Sequence, residues 1–214
     1  MKKLNINGFE EVIIERSDYS LEKCKSILKK EVTAIIGYGP QGYGQGLNMR
    51  DQGFNVILGL RKGASWDKAL ADGWVESKNL FGIEDAVKKG TIIQYLLSDA
   101  GQIHAWPIVK SNLKPGDALY FSHGFGIVFN KDTGILPPDN IDVVLVAPKG
   151  SGLTVRTHFQ SGKGINSSFA IHQDYTGNAR ERCLATAFAI GSGHSFETTF
   201  EKEVHSDLTG ERCV

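Results

Sequence analysis

The 214-residue chain has little cysteine, no excess of charge of either sign and no long apolar run. Cys24, Cys183 and Cys213 lie far apart and form no CxxC pair. This argues against a disulfide framework and against a structural zinc site, and it favours a reducing compartment. Twenty-four Lys and Arg residues balance 24 Asp and Glu residues, so no overall charge favours nucleic acid as a partner.

Membrane and export signals are also missing. No apolar stretch approaches the roughly 20 residues that span a bilayer. Residues 1–11 lack the apolar core of a signal peptide and are too acidic and too short for a transit peptide. We therefore expect a cytoplasmic protein with no membrane partner.

Glycine, by contrast, is abundant. The 25 glycines cluster at turns between apolar runs, as expected where backbone must approach a ligand closely. Apolar runs of strand length alternate with helical patterns, which predicts an α/β fold with a doubly wound, Rossmann-type, mostly parallel sheet and helices on both faces. Strands are predicted at residues 32–36, 55–58, 91–97, 118–122, 143–147 and 194–199. Helices are predicted at residues 21–30, 65–71, 83–89, 103–112 and 176–190, with one ending near 51 and one starting near 201.

The firmest motif is a βαβ unit from about residue 31 to residue 65. Its glycine loop fits GxGxxG directly after a strand and at the start of a helix: Gly37 allows the tight turn, Gly39 lets the backbone approach a pyrophosphate and Gly42 lets helix and strand pack closely. The pyrophosphate would bind free N–H groups at the positive end of the helix dipole. A plain turn, or a site for a different nucleotide, is the alternative.

The end of the second strand indicates which dinucleotide is bound. NAD sites usually place an acid there, about 20 residues after the glycine loop, to accept a hydrogen bond from the ribose 2′-hydroxyl. This chain has Arg61, Lys62 and Ser65 instead. A planar guanidinium, an ammonium and a hydroxyl are suited to a 2′-phosphate, which predicts NADPH rather than NADH. The alternative is a solvated basic turn.

Other strand ends carry polar residues as well. Ligands of open α/β sheets bind beyond the carboxyl ends of the strands. His123, next to Gly124, is placed for function, although a loop histidine is often structural. Lys149 is placed to meet an anionic substrate, although most lysines are surface residues. The residues predicted to contact the cofactor are Gly37, Tyr38, Gly39, Gln41, Gly42, Arg61, Lys62, Ser65, Ser98, Asp99, Gln102 and Gly124.

Two acids near the end of the sequence form a further candidate site. Asp207 and Glu211 are four residues apart and so share one face of a helix. Paired carboxylates suit Mg²⁺, which keeps waters for substrate oxygens. An acidic pair at this spacing is also a common solvated helix face, and both interpretations stay open on spacing alone.

Together these segments resemble ketol-acid reductoisomerases, the acetohydroxyacid isomeroreductases of branched-chain amino acid synthesis. The resemblance runs from about Phe9 to Arg212. Its markers, in chain order, are GYGPQG at 37–42, LNMRD at 47–51, GLRKG at 59–63, LLSD at 96–99, YFSHGF at 120–125, VAPKGSG at 146–152 and SDLTGER at 206–212.

The resemblance implies a two-step reaction. Two Mg²⁺ ions bind the oxygens of 2-acetolactate or 2-aceto-2-hydroxybutyrate and drive an alkyl shift, and NADPH then reduces the 2-keto acid to a 2,3-dihydroxy acid. By the same resemblance, Asp207 bridges both metals and Glu211 binds one. His123 and Lys149 would be the catalytic residues that orient the water network and stabilise developing charge.

The resemblance also divides the chain. Residues 1–199 would form the NADPH-binding domain, and residues 200–214 would start a knotted helical domain that is otherwise largely missing from this sequence. In the family that domain supplies further metal-binding glutamates and a substrate-binding serine and forms the homo-oligomer. Three hypotheses follow: a ketol-acid reductoisomerase, an NADPH-binding module without turnover of its own, and a different NADP-dependent dehydrogenase, which the Asp207–Glu211 pair disfavours.

Overall fold

The computed structural model describes residues 2–212, apart from the side chains of residues 6, 9, 211 and 212. Ten strands of this described part form one sheet, with helices packed on it. The strands are β1 Lys2–Ile6, β2 Phe9–Glu15, β3 Thr33–Ile36, β4 Val56–Gly59, β5 Leu80–Phe81, β6 Ile92–Tyr95, β7 Ala118–Phe121, β8 Asp142–Pro148, β9 Ile165–Gln173 and β10 Ser192–Glu197. The helices are α1 Leu21–Ile27, α2 Pro40–Asp51, α3 Ala64–Ala71, α4 Ile83–Lys89, α5 Asp99–Asn112, α6 Phe125–Val128, α7 Asn130–Thr133, α8 Gly152–Gln160, α9 Ala179–Ala189 and α10 Phe200–Arg212.

The strand order is that of a dinucleotide-binding fold. Strands β5, β4, β3, β6, β7 and β8 are adjacent in that order and run parallel. The chain leaves β3 towards β4 on one side and later returns to place β6 on the other, so a switch point lies between β3 and β6. The predicted doubly wound, mostly parallel α/β fold is confirmed. The loops after β3, β4, β6, β7 and β8 consequently share one edge of the sheet.

Each face of the sheet is covered by its own apolar core. Along β3 the side chains alternate, so that Ile35 joins the core under α1, α2, α3 and α9, whereas Ala34 and Ile36 join the core under α4, α5, α6 and α10. Strands buried on both faces read as continuous apolar runs in the sequence. That property made these strands predictable.

Several predicted boundaries were wrong by a few residues. The first helix ends at Ile27, and α9 begins at Ala179 because residues 174–178 form a loop whose backbone N–H groups donate to Asp142. Helix α5 begins at Asp99, four residues before its predicted start, since the Ser98 hydroxyl caps it by accepting from Gly101 N at 3.3 Å.

Strands β1, β2, β5 and β9 and helices α6, α7 and α8 are absent from the sequence prediction. The hairpin β1–β2 turns at Asn7-Gly8, which have φ of 52° and 89°. An Asn-Gly pair is a local sequence signal for such a hairpin. Strand β2 then pairs antiparallel with β10. Helix α8 and strand β9, which pairs antiparallel with β8, follow directly after the loop that carries Lys149.

Helix α10 confirms the helical pattern predicted from about residue 201. Its Phe200 and Val204 are buried against the sheet, so its first turn belongs to the same core as β7 and β8. The domain boundary at 199/200 stays a prediction. Within residues 2–212, no helix is long and apolar enough to cross a membrane.

Candidate active site

The glycine loop lies at the switch point between β3 and β6. Helix α2 starts at Pro40 with Gly39 as its N-cap. A Cβ atom at Gly42 would overlap the carbonyl oxygen of Gly37, so the loop and the helix are in backbone contact. A Cβ atom at Gly39 would meet no heavy atom within 4 Å. Gly39 therefore presents open backbone at the positive end of α2, which is the geometry that a pyrophosphate requires.

An open cleft of about 460 Å³ lies over this loop. It gathers residues from the ends of β3, β4 and β6. Its lining includes Gly37, Tyr38, Gly39, Arg61, Lys62, Ser65 and Ser98. A neighbouring cleft of about 640 Å³ shares Arg61 and Lys62 and continues between α4 and α5 over apolar side chains.

Tyr38 contributes backbone rather than its phenol to the first cleft. Its hydroxyl donates to Asp72 Oδ2 at 3.1 Å and accepts from Trp74 Nε1 at 2.9 Å. Burial raises the pKa of this phenol. The side chain is therefore a structural support under the loop.

Asp99, Gln102 and Gly124, also predicted to contact the cofactor, are not among the residues that line the first cleft. Asp99 is in the first turn of α5. Gln102 is buried and donates to Leu97 O at 3.0 Å, so its side-chain amide stabilises the loop that follows β6. Gly124 is the N-cap of α6, where a Cβ atom would lie 2.6 Å from Phe200 Cδ1. Gly124 thus permits close packing of α10 on the loop after β7.

A third cleft, of about 1050 Å³, lies beside the glycine loop and beyond the ends of β7 and β8. It brings together both predicted catalytic residues and one predicted metal ligand. Its lining includes Gln41, Ser122, His123, Lys149, Gly150, Glu203, Ser206 and Asp207.

His123 faces α10 across this third cleft. Its Nδ1 lies 2.8 Å from Asp207 Oδ2, although the two groups are not aligned as a hydrogen bond. The ring stacks on Phe125 at 6.2 Å between centroids and 10° between planes. The stacking fixes the ring orientation, and the imidazole points at a carboxylate that is still 45% exposed to the cleft.

Lys149 has a partner that sequence reasoning missed. Its Nζ pairs with Glu203 Oε1, and Ser168 Oγ donates to Glu203 Oε2 at 2.5 Å. Glu203 is buried, so its carboxylate is satisfied by one ammonium and one hydroxyl. The available signal was the spacing of Glu203, Asp207 and Glu211, which repeats every four residues on α10 and so marks a single acidic face.

A buried polar chain connects the loops around the cleft. The Gln45 amide donates to Gln41 Oε1 and to Ser122 Oγ, each at 2.9 Å, and Tyr120 OH donates to Gln45 Oε1 at 3.0 Å. Gln41 Nε2 in turn donates to Gly150 O at 3.0 Å. Fully buried Gln45, absent from the predicted site residues, therefore ties the glycine loop to the loops that carry His123 and Lys149.

The acidic pair predicted to bind Mg²⁺ is described only in part. Asp207 lines the third cleft, whereas the side chain of Glu211 lies outside the described residues. Among the described residues, no three His, Cys, Asp or Glu side chains are grouped as a metal site.

The known proteins that this chain resembles decide its family. Residues 27–195 match the model of the acetohydroxy acid isomeroreductase NADPH-binding domain. The chain belongs to the ketol-acid reductoisomerase family. Over its whole length it is 59% identical to "Ketol-acid reductoisomerase (NAD(+))" of Desulfosudis oleivorans and covers 61% of that protein. It is 55% identical, over 99% of its length, to the mitochondrial ketol-acid reductoisomerase of Saccharomyces cerevisiae, of which it covers 54%.

A solved structure of the same family agrees with the fold. The structure of an NADH-preferring ketol-acid reductoisomerase from an uncultured archaeon superposes with a TM-score of 0.86 at 36% identity, covering 95% of this chain and 61% of that one. The chain thus spans between half and two thirds of the length of the ketol-acid reductoisomerases it matches. Residues 27–195 correspond to the family's nicotinamide-dinucleotide-binding domain. Relatives are named for NAD(+) as well as for NADP(+), so membership alone leaves the choice of cofactor open.

Proposed function

We propose that this chain is the cofactor-binding part of an NADPH- and Mg²⁺-dependent ketol-acid reductoisomerase. The enzyme would convert 2-acetolactate or 2-aceto-2-hydroxybutyrate into 2,3-dihydroxy acids by alkyl migration and hydride reduction, in the synthesis of valine, leucine and isoleucine. The observation that carries the proposal is the arrangement of the clefts: the one over the glycine loop and the one holding His123 and Lys149 lie on either side of the start of α2. A nicotinamide bound at that point would face the substrate.

The cofactor would bind in three places along the first cleft. The pyrophosphate would lie on the open backbone at Gly39 and the free N–H groups of α2. The 2′-phosphate would lie against exposed Arg61 and Ser65, with Lys62 beside them. The adenine would occupy the apolar cleft between α4 and α5.

The donor set in the third cleft suits Mg²⁺. Asp207 offers a hard, half-exposed carboxylate, and Glu211 lies one helical turn further along α10. When bound there, Mg²⁺ supplies Lewis acidity that makes the substrate carbonyl electrophilic. The described part of the chain supplies only some of the ligands that two ions need, so others would come from elsewhere in the enzyme.

The chain's own residues would bind and orient the substrate. The Lys149 ammonium provides positive charge for the carboxylate of the substrate and for negative charge that develops on its oxygens. Glu203, held by Ser168, keeps that ammonium in place. His123, fixed between Phe125 and Asp207, orients water in the cleft and exchanges a proton with it.

A second candidate function is a module that binds NADPH without turnover of its own. It is favoured by the incomplete donor set among the described residues. Turnover, and the homo-oligomer, would then depend on the helical part of a longer enzyme. The proposed compartment is the cytoplasm.

The cofactor proposal is tested by titrating the chain with NADPH and NADH while following the nicotinamide fluorescence. Arg61→Glu is expected to weaken NADPH at least about ten-fold, because a charge-assisted hydrogen bond is replaced by repulsion, with little change for NADH. Arg180→Gln is the matched control, an exposed arginine that pairs with Glu197 away from the clefts. NADPH binding that is as tight in Arg61→Glu as in the wild type would contradict the proposal.

The reaction is tested by NADPH oxidation with 2-acetolactate and Mg²⁺. In the full-length enzyme, Asp207→Asn is expected to abolish Mg²⁺-dependent turnover, whereas Glu201→Gln, an exposed acid on the same helix, should leave it intact. Full activity in Asp207→Asn would remove the metal role. A family-like rate from the 214-residue chain alone would rule out the module without turnover.

A further inference from the structure

An acid does lie beside the basic loop, although none follows β4 in the sequence. Glu76 Oε1 is 2.7 Å from Lys62 Nζ, and both side chains are more than half exposed. Lys62 lines both cofactor clefts, and Glu76 lines the one between α4 and α5. Lys62 Nζ also lies 3.7 Å from the ring centroid of Trp66, which is buried. The ammonium is therefore held from two sides, over a ring and against a carboxylate.

The segment that carries Glu76 is fixed to the end of β4. Glu76 forms a parallel bridge with Leu80, the first residue of β5, and β5 pairs with β4. Val75 N donates to Asn79 Oδ1 at 2.7 Å, which closes the turn. Ser77 adopts φ of 60°, a left-handed conformation that serine rarely takes, so the turn is locally strained yet tied down at both ends.

We propose that Glu76 is a specificity-determining residue for the nicotinamide cofactor: by holding Lys62 it reduces the preference of this chain for NADPH over NADH. The inference rests on the proposed function, in which the basic loop receives the 2′-phosphate. With Lys62 neutralised by Glu76, Arg61 is the remaining cation of the loop, and no acid among the described residues pairs with it. A 2′-phosphate gains less from such a loop than from two free cations, whereas a 2′-hydroxyl is indifferent to the difference.

The test compares dissociation constants for NADPH and NADH in the wild-type chain and in Glu76→Gln. The variant is expected to bind NADPH about five-fold more tightly, as one unit charge beside a doubly charged phosphate at a protein surface predicts. NADH should change less than about two-fold, and the gain for NADPH should shrink at high salt because exposed charges are screened.

Two further variants separate the proposed route from general effects. Glu10→Gln is the matched control, since exposed Glu10 pairs with Lys3 at 2.6 Å on the β1–β2 hairpin, away from both cofactor clefts. Its ratio of NADPH to NADH affinity should equal that of the wild type. In a Lys62→Met background, Glu76→Gln should change NADPH binding less than about two-fold, because no ammonium is left to hold.

The outcomes distinguish the role of Glu76 from the proposed function on which it rests. If the wild-type chain binds NADPH and Glu76→Gln leaves the ratio of NADPH to NADH affinity unchanged, or if Glu10→Gln shifts that ratio equally, the role of Glu76 is overturned while the proposed function stands. A full-sized effect of Glu76→Gln in the Lys62→Met background would also overturn it. If the wild-type chain binds neither nucleotide, both are overturned.

Discussion

Gly152→Ala tests whether the close backbone packing of α8 on α2 positions the active site. A Cβ atom at Gly152 would overlap Pro40 O and lie 2.5 Å from Gln41 N, against about 3.5 Å for an ordinary contact. Helix α8 would have to move by about 1 Å or more, the difference between these distances. Overpacking of this kind costs about 1–3 kcal/mol, and we expect a loss near the upper end because backbone, not a flexible side chain, is in the way.

The same movement should also weaken cofactor binding. Gln41 donates to Gly150 O, and the first turn of α2 faces the proposed pyrophosphate site, so a shift of α8 would displace the glycine loop. We expect NADPH to bind about ten-fold more weakly, which is the effect of losing roughly 1.4 kcal/mol of binding free energy.

Urea unfolding followed by tryptophan fluorescence, together with NADPH titration, measures both effects of Gly152→Ala. Gly82→Ala is the matched control: Gly82 is the N-cap of α4, has φ of −63°, and a Cβ atom there would meet no heavy atom within 4 Å. We expect the control to stay within about 0.5 kcal/mol of the wild type. If the free energy of unfolding falls no further in Gly152→Ala than in Gly82→Ala, backbone contact between α2 and α8 is not what positions the site.

Two more predictions concern the glycine loop and the buried acid Asp117. In Gly39→Ala, the free energy of unfolding should stay within about 1 kcal/mol of the wild type, since the new methyl group meets no protein atom. The variant should bind NADPH at least about ten-fold more weakly, because the methyl group occupies the space through which the pyrophosphate approaches. Unaltered NADPH binding would contradict the proposed position of the pyrophosphate. Burial raises the pKa of Asp117 from its usual 3.8 to about 6, so the native state binds more protons than the unfolded state between these values and the wild type loses stability as pH rises through them. Asp117→Asn keeps an acceptor for Lys114 N. The variant should be more stable than the wild type at about pH 7, by at most about 3 kcal/mol, and equally stable near pH 4. Identical unfolding curves of the two proteins at both pH values would refute the desolvation argument.

The sequence by itself determined the cofactor unit. The strand β3, the glycine loop, helix α2 and strand β4 follow one another within about 30 residues, and each is encoded by local signals: an apolar run, spaced glycines and a glycine cap at Gly53. His123 and Lys149 were likewise predicted as site residues from local signals, because polar residues directly after buried strands are placed at the ligand edge of a parallel sheet.

Only the tertiary structure decided which of these strand ends meet, and with what. Strand order places Lys149 against Glu203 and His123 against Asp207, 54 and 84 residues away, and no periodic pattern encodes such distances. The same holds for Glu76 beside Lys62 and for the backbone contact of Gly152 with α2. Local sequence fixes the conformation of a segment through sterics and burial, whereas the partner of a charge depends on the strand order and packing of the whole sheet.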